Sequence, residues 1–385
     1  MKKSISILGS TGSIGLSTLK IIDKKKNNFK IKILAANKNY TLIVKQIKKY
    51  KPKIFVVSNK FIFNKIKNKF KKKKIIILNN FNYQKFSKSD YTVSAIPGIA
   101  GLYPTIKLIG YTKNLLIANK ESIICGWDIL KKEAKKNNTK IIPIDSEHFS
   151  ILRLLEKQKI NEIKKIYITA SGGPFLNLNI NKFKNVKPKD ALKHPKWKMG
   201  KKISIDSSTL MNKILELAEA QKLFNLSDKK VDIIIHPESL VHAIIQLKNG
   251  LTKFIYHKTS MIIPIANAIF EKNLNIEEFY NSKNNMKKPI ENLNFKKVDN
   301  KIFPMIKLKN KINKFPSSSI IINASNEILV DQFLRKKIPF LSIYKTIMKI
   351  LNDRNYRKYA IRKPKNILEI IKIDQWARES VLKKI

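Results

Sequence analysis

The 385 residues of the chain exceed one ordinary domain of roughly 100 to 200 residues, so two or three structural units are expected to share its apolar surface. A hydrophobic fraction of 43% is typical of a globular protein, and the absence of any apolar run of about 18 residues excludes a membrane-spanning helix. The charge is extreme, because 79 basic residues outnumber 27 acidic ones and give a net charge of +52.

The excess lysine is spread along the whole chain together with Asn and Ile, rather than gathered on one segment with interleaved aromatic residues. We therefore expect no specific nucleic-acid partner. Because Lys, Asn and Ile share A/T-rich codons, we attribute the charge mainly to mutational drift. The positive electrostatic potential that results from this charge still attracts anionic substrates and raises nonspecific binding to polyanions.

The cysteine content and the amino-terminal segment favour a cytoplasmic protein. Cys125 is the only cysteine, so no internal disulfide is possible. Residues 4–8 are too few to form the apolar region of a signal peptide. We therefore expect neither secretion nor a membrane anchor.

The first predicted region alternates short β-branched runs with amphipathic helical stretches, and we assign it to a domain over residues 1–145. The predicted strands are 5–8, 31–35, 54–57, 75–78, 92–96, 115–118 and 141–144. This alternation predicts βαβ units and a parallel, Rossmann-like sheet, so the fold class is α/β.

The rest of the chain has a different pattern. Strands at 166–169, 231–235, 243–247 and 253–256 predict a mixed or antiparallel sheet in a central α+β domain over residues 146–270. Residues 271–301 are rich in Asn and Lys and suit a linker. Apolar residues at three- and four-residue spacing predict helices over 318–336 and 338–351, in a C-terminal helical domain over residues 302–385.

A glycine-rich turn, Gly9 to Gly15, follows the first predicted strand and opens the first helix. There, glycines allow a tight turn and a close approach of the backbone to a pyrophosphate. The spacing is GxxGxxG rather than GxGxxG, so a purely structural turn is an alternative. The second strand ends at Asn37-Lys38-Asn39, where NAD-selective folds carry an acid, and this basic sequence favours NADP. The alternative is that Lys38 is one of many surface lysines.

Two carboxylates, Asp145 and Glu147, follow the last predicted strand of the first region, where ligands gather in open α/β sheets. In extended backbone, residues two apart point to the same side, so both can face one cation. Carboxylates without cysteine ligands suit Mg²⁺ or Mn²⁺. Plain surface acids are the alternative.

Residues 206–219 read DSSTLMNKILELAE. The Ser/Thr cluster predicts a helix N-cap and with it an anion site. Asn212, Lys213, Glu216 and Glu219 then lie three or four apart on one side of the helix, which suits a phosphate and a metal. A solvated Lys–Glu surface is the alternative.

The segment 171–200 has glycines near both ends and Trp197 close to its end. This composition predicts a mobile loop that closes over a ligand. Alternatively, Trp197 anchors a core and His194 is a surface residue.

Seven motifs occur in order: GSTGSIG, ANKES, PIDSEH, SGGPF, HPKWKMG, DSSTLMNKILE and HPES, from residue 9 to residue 239. Together they resemble the 1-deoxy-D-xylulose 5-phosphate reductoisomerase family, and the resemblance continues more weakly through 323–327. It implies conversion of deoxyxylulose phosphate to 2-C-methyl-D-erythritol 4-phosphate, on the non-mevalonate route to isoprenoid precursors, by a homodimer. A retro-aldol and aldol pair and a 1,2-shift both satisfy the sequence.

The resemblance also implies roles for individual residues. NADPH would contact Thr11, Gly12, Ser13, Ile14, Asn37, Lys38, Asn39, Asn119, Glu121 and Gly200. Mg²⁺ or Mn²⁺, with Co²⁺ a further candidate, would be held by Asp145, Glu147 and Glu216, which with Lys120 form the catalytic set. The substrate would contact Lys120, Ser146, Glu147, Ser171, His194, Ser207, Asn212, Lys213 and Glu216. Trp197 and Met199 would cover the site.

Five positions depart from the family pattern: Asn37, Pro97, Ile99, Ile214 and Glu238. Ile214 replaces a glycine next to Lys213, so we expect an effect on efficiency rather than on reaction type. Another NADP-linked oxidoreductase is the alternative function.

Overall fold

The computed structural model describes residues 2–197, 199–271, 274–280 and 292–385. These residues divide into two compact units. The first contains residues up to Ser122, Trp127–Phe149 and the described residues from Ser260 to 280; the second contains Ile123–Gly126, Ser150–Thr259 and residues 292–385. No helix within the described ranges is long and apolar enough to cross a membrane. Part of the predicted linker 271–301 lies outside these ranges.

The first unit contains a parallel sheet of seven strands. The strands are β1 Lys3–Leu8, β2 Phe29–Ala36, β3 Ile54–Val57, β4 Ile76–Leu78, β5 Ser89–Ser94, β6 Thr112–Ile117 and β7 Lys140–Pro143. The central strands are buried on both faces, as a parallel sheet covered by helices requires, although β1 and β5 carry buried Ser and Thr among their apolar residues. The predicted Rossmann-like sheet is therefore confirmed.

The strand order is β4-β3-β2-β1-β5-β6-β7, so the chain reverses its direction across the sheet at β1. In open α/β sheets, ligands bind outside the carboxyl ends of the strands at such a point. The predicted fifth strand, 92–96, begins earlier than expected, at Ser89, because Ser89 and Tyr91 already pair with Thr112 and Asn114 of β6.

Helices alternate with these strands through most of the chain's first half. They are α1 Ser13–Lys24, α2 Tyr40–Tyr50, α3 Lys60–Lys69, α4 Leu102–Ile109, α5 Lys120–Lys136 and α6 Ser146–Leu155. Each of α1, α2, α5 and α6 follows a strand closely, so its amino end lies near the carboxyl edge of the sheet.

The second unit contains a mixed sheet of four strands, which decides between the two predicted alternatives. The strands are β8 Ile163–Ala170, β9 Val231–Ile235, β10 Val241–Leu247 and β11 Thr252–Tyr256. Their order is β11-β10-β8-β9, with β8 and β9 parallel and the other pairs antiparallel. Helices α7 Pro188–Ala191, α8 Lys201–Ser208 and α9 Met211–Leu223 lie between β8 and β9 in the chain.

Helix α10 Ile262–Phe270 belongs to the first unit, and the last four helices belong to the second: α11 Ser318–Leu334, α12 Ser342–Leu351, α13 Tyr356–Ala360 and α14 Ile367–Leu382. Helix α11 packs against both α12 and α14. The predicted helix 338–351 begins later, at Ser342, because Lys336 adopts φ 61° and Pro339 restricts the backbone between the two helices.

Candidate active site

The turn between β1 and α1 is built from main chain. Gly9 has φ +85°, and a Cβ there would lie 2.5 Å from the Ala95 carbonyl oxygen. The N–H groups of Gly9 and Ser10 donate to the Ala35 carbonyl at 2.9 and 2.8 Å. A Cβ at Gly15 would lie 2.4 Å from the Gly9 carbonyl oxygen. Packing within the protein therefore leaves no room for a side chain at Gly9 or Gly15.

Gly12 is different, because a Cβ there would meet only the Gly9 carbonyl oxygen, at 3.4 Å. Gly12 is the exposed N-cap of α1, and no side chain caps the helix. Thr11, Ser13 and Ile14 lie beside it and are exposed or half-buried. Uncapped N–H groups at a helix N-terminus attract anions. Internal packing would therefore tolerate a side chain at position 12, so it does not explain why this residue is a glycine. The exposed, uncapped turn fits a bound pyrophosphate.

The exposed residues Asn37, Lys38 and Asn39 follow β2. The Asn39 side chain caps α2 by accepting the Leu42 N–H at 3.1 Å, and Asn37 accepts the Ser58 hydroxyl at 3.3 Å. Within the described ranges, no group pairs with the ammonium of Lys38. Two amides thus fix this turn and leave the Lys38 ammonium available to an anion.

Asn119 and Glu121, after β6, are buried and bonded to each other. The Asn119 amide donates to the Glu121 carboxylate at 2.9 Å and to the Ile96 carbonyl at 2.7 Å, and its oxygen accepts the Ser122 N–H at 2.9 Å. Asn119 is the N-cap of α5. These contacts hold the turn after β5, at the point where the strand order reverses.

The acidic pair follows β7. The Asp145 carboxylate lies 2.7 Å from the Lys120 ammonium, and it accepts the Glu147 N–H at 3.3 Å. The Ser146 hydroxyl donates to Glu147 Oε2 at 2.5 Å. The prediction that extended backbone aligns the two acids is wrong, because α6 begins at Ser146 and Glu147 lies in its first turn. There the acid also interacts favourably with the helix dipole.

Electrostatics keep Asp145 ionised. Burial raises the pKa of this carboxyl, but the Lys120 ammonium and the His148 ring together outweigh burial, and the net pKa lies below its ordinary value. Glu147 acts in the opposite direction, since two carboxylates repel each other. Two neighbouring oxygen ligands whose repulsion a cation would relieve fit Mg²⁺ or Mn²⁺.

Sequence reasoning missed His148. Its fully buried ring places Nδ1 at 3.5 Å from Asp145 Oδ1. The signal was the three-residue spacing from Asp145, which becomes meaningful once α6 is known to begin at Ser146.

Helix α9 begins differently from the prediction. Asp206, Ser207 and Ser208 form the C-terminal turn of α8, and Leu210, at φ 69°, is the N-cap of α9. The predicted Ser/Thr N-cap is therefore wrong, because the sequence continues an earlier helix up to a left-handed residue. Thr209 retains part of the expected role, since its hydroxyl oxygen accepts the Met211 N–H at 3.3 Å.

The predicted polar face of α9 is present and buried. Asn212 Nδ2 donates to Glu216 Oε1 at 2.5 Å, and Lys213 Nζ donates to Glu216 Oε2 at 2.7 Å. Lys213 is 9% exposed, and Glu216 and Glu219 are each 1% exposed. This burial excludes the solvated Lys–Glu surface. Charged groups are rarely buried without a partner or a ligand.

Ser171 and His194 are joined at the two ends of the predicted loop, with Oγ and Nε2 3.0 Å apart. His194 Nδ1 accepts the N–H groups of Lys196 and Trp197 at 3.2 and 2.9 Å, so Nε2 carries the proton of the neutral ring. Burial, reinforced by the Lys213 ammonium, lowers the pKa of His194 to about 4. The ring is therefore neutral at pH 7 and donates through Nε2.

The remaining predicted residues of the loop region lie around this pair. Trp197 and Met199 are half-buried, and the Trp197 ring meets the His242 ring edge-on at 6.1 Å. The exposed Gly200 is the N-cap of α8. Ser207 is half-buried, and a Cβ at Gly173 would lie 3.0 Å from its carbonyl oxygen. Lys198 lies outside the described residues.

Comparisons with known proteins agree along the whole chain. Family models match as 1-deoxy-D-xylulose 5-phosphate reductoisomerase over residues 5–126, as its C-terminal domain over 141–224, and as the DXP reductoisomerase C-terminal domain over 257–380. The reductoisomerase of Pelagibacter ubique strain HTCC1062 is 48% identical over 97% of both chains, and that of Wolbachia pipientis wMel is 40% identical over 90% of this chain and 89% of its own. The chain belongs to this family.

Solved structures of the reductoisomerase family have the same fold. The Zymomonas mobilis enzyme in complex with NADPH matches with a TM-score of 0.86 and 29% identity, covering 100% of this chain and 99% of its own. A DOX-P reductoisomerase in complex with NADPH, fosmidomycin and magnesium matches with a TM-score of 0.89 and 31% identity, covering 99% of this chain and 98% of its own.

The departures from the reductoisomerase pattern are accommodated locally. Ile214 is fully buried in α9, and Lys213 beside it still reaches Glu216. The Glu238 carboxylate accepts the Asn294 side-chain amide at 2.7 Å and lies 3.0 Å from the His236 ring. Nothing in the described structure explains Pro97 or Ile99.

Proposed function

We propose that this chain is an NADPH-dependent, divalent-cation-dependent oxidoreductase that rearranges and reduces 1-deoxy-D-xylulose 5-phosphate to 2-C-methyl-D-erythritol 4-phosphate, a step toward isoprenoid precursors. The observation that carries the proposal is the 48% identity to a named reductoisomerase over 97% of both chains. Related structures contain NADPH and magnesium. Another NADP-linked oxidoreductase is not favoured.

The nucleotide is assigned to the carboxyl edge of the parallel sheet. Residues 11–14 offer the uncapped start of α1 to the pyrophosphate, and Lys38 offers an ammonium group to the 2′-phosphate. Asn37 and Asn39 fix the turn that carries Lys38, and Asn119 and Glu121 hold the turn after β5. These four residues, together with Gly200 at the N-cap of α8, are assigned as further contacts of the nucleotide. NADPH supplies the hydride for the reduction.

The cation is assigned to Asp145, Glu147 and Glu216, with Mg²⁺ or Mn²⁺ as the ion. When bound, it supplies Lewis acidity to the carbonyl and hydroxyl oxygens of the substrate. Lys120 keeps Asp145 ionised, and Ser146 orients Glu147. Asn212 and Lys213 each hold one oxygen of Glu216, which fixes the orientation of that carboxylate.

The phosphate end of the substrate is assigned to Ser171, His194, Ser207, Asn212 and Lys213. Neutral His194 serves as a donor through Nε2, while Lys213 supplies the positive charge. Binding at this end orients the distant reacting carbons. The loop 171–200, with Trp197 and Met199, would cover the substrate and exclude water.

The cellular setting and the domain limits are further proposals from the sequence. We assign the protein to the cytoplasm, with domains at 1–145, 146–270 and 302–385 joined by a linker at 271–301. We also propose a homodimer. Its support is the edge strand β11, where Phe254 and Tyr256 point to the same side of the sheet and are 47% and 36% exposed.

The test is NADPH oxidation by the purified chain with deoxyxylulose phosphate, with and without Mn²⁺, after treatment with a chelator. We expect turnover that requires both the sugar phosphate and the cation. Simple 2-hydroxy acids and their keto forms serve as control substrates. Folded protein that shows no cation-dependent turnover would refute the proposal, and turnover with a hydroxy acid would favour the alternative.

A further inference from the structure

Three polar residues of α11 within the weakly matching segment 323–327 are fully buried, and one of them bonds to a residue outside its own helix. Asn323, Ser325 and Asn326 are all 0% exposed. Within the described structure, the side-chain oxygens Asn323 Oδ1, Ser325 Oγ and Asn326 Oδ1 accept or donate no hydrogen bond. Because burying such atoms is unfavourable, their presence in a helix interior calls for a compensating contact.

Asn326 makes that contact with α8. Its Nδ2 donates to Asp206 Oδ1 at 2.7 Å, and the Lys202 ammonium lies 3.2 Å from Asp206 Oδ2. The ionised Asp206 carboxylate can accept hydrogen bonds but cannot donate them, so the Asn326 amide must turn its nitrogen toward Asp206. The Asn326 side-chain oxygen then points away from Asp206. Both oxygens of a carboxylate that is 1% exposed are thereby fixed.

Asp206 lies in the C-terminal turn of α8, directly before Ser207. Its own carbonyl oxygen accepts the Thr209 hydroxyl at 3.2 Å, so residue 206 is held through both side chain and main chain. The next residue, Ser207, packs its carbonyl against Gly173. A shift of Asp206 would therefore move Ser207 with it.

We infer that Asn326 is a positioning residue for substrate phosphate: by holding Asp206, it fixes the last turn of α8 and thereby the orientation of Ser207. This inference rests on the proposed function, because Ser207 is a proposed phosphate ligand. Asn326 itself is not assigned any contact with substrate.

The experiment compares Asn326→Ala with Asn323→Ala. Asn323 is an equally buried amide on the same helix, but it donates to Glu327 at 3.3 Å rather than to α8. We expect Asn326→Ala to raise KM for deoxyxylulose phosphate about tenfold, as loss of one charge-assisted hydrogen bond implies, while kcat and KM for NADPH change less than about twofold. Asn323→Ala should leave all three parameters near the wild-type values.

A reciprocal exchange tests the mechanism. The double variant Asp206→Asn with Asn326→Asp restores one amide–carboxylate hydrogen bond, so KM should return to within about threefold of wild type. If Asn326→Ala does not fold, Asn326→Ser replaces it, because its shorter hydroxyl cannot reach Asp206. An unchanged KM in folded Asn326→Ala or Asn326→Ser, or an equal rise in Asn323→Ala, would overturn the inference.

A second readout separates this inference from the proposed function. The rise in thermal midpoint caused by inorganic phosphate is measured on the same variants and needs no turnover. We expect the rise in wild type and Asn323→Ala and its loss in Asn326→Ala. If phosphate raises the thermal midpoint of the wild type but the wild type shows no turnover, only the proposed function is refuted. If phosphate raises the midpoint of all variants equally, or does not raise that of the wild type, the positioning role of Asn326 is refuted.

Discussion

The turn between β1 and α1 is built from main chain, whereas the polar face of α9 is built from buried side chains. In the turn, Gly9 and Gly15 are set by packing distances of 2.5 and 2.4 Å, and Gly12 is exposed. In α9, Lys213 and Glu216 are almost fully buried and hold each other at 2.7 Å. Substitutions in the turn should therefore act on folding and nucleotide affinity, while substitutions in α9 should act on turnover.

The largest expected effect follows from replacing Glu216 by Gln. This change removes a proposed cation ligand but keeps the shape of the side chain, so kcat should fall by more than about a hundredfold, the upper end for mere supporting residues of a metal site. NADPH affinity, measured by fluorescence titration, should stay within about twofold of wild type. Loss of both together would show that α9 and the turn are not functionally separate.

The next largest effect is expected in the turn itself. Gly15→Ala places a Cβ at 2.4 Å from the Gly9 carbonyl oxygen, so the free energy of unfolding should drop by about 1–3 kcal/mol in urea titrations. Gly12→Ala is the matched control, since its Cβ has an ordinary contact at 3.4 Å. It should preserve stability and weaken NADPH binding. Equal destabilisation by both changes would contradict the packing difference drawn here.

Replacing Lys38 by Met should weaken NADPH binding about tenfold, since one charge-assisted contact to the 2′-phosphate would be lost. NADH binding should change little, because NADH lacks that phosphate. Lys30→Met, an exposed lysine at the opposite end of β2, is the control and should leave both affinities unchanged. If Lys38→Met weakened the binding of NADPH and NADH equally, Lys38 would not contribute to the selectivity for NADPH.

The smallest effect concerns His194 and pH. The pKa of this ring is about 4 in the folded protein, below its ordinary value of 6.5, so the unfolded chain binds more protons between these pH values. Its contribution to stability is therefore present above pH 6.5 and is lost as pH falls toward 4. The difference between the urea midpoints at pH 7 and pH 5 should therefore be slightly smaller in His194→Asn than in wild type. If the variant and wild type show the same difference in urea midpoint, the pH dependence of stability does not come from His194.

The sequence predicted the features that depend on local pattern. Strand periodicity found the seven parallel strands, and helical spacing correctly grouped Asn212, Lys213 and Glu216. It failed where the backbone changes direction. Leu210, at φ 69°, divides α8 from α9, and a bulky leucine gives no local signal of a left-handed residue.

Long-range contacts were equally inaccessible to pattern reasoning. Nothing in the spacing shows that Asn326 donates to Asp206, 120 positions away in the chain. The alignment of His148 with Asp145 likewise depends on where α6 begins. The sequence thus identified the residue types of the candidate site, and the structure added the hydrogen bonds that hold them within each unit.

The most direct test of the central claim is to identify the product formed from deoxyxylulose phosphate, NADPH and Mn²⁺ by NMR, with NADPH consumption measured in the same sample. We expect the branched-chain product 2-C-methyl-D-erythritol 4-phosphate, formed in a one-to-one ratio with the NADPH oxidised and only when the cation is present. An unbranched polyol phosphate, formed by reduction without rearrangement, would contradict it.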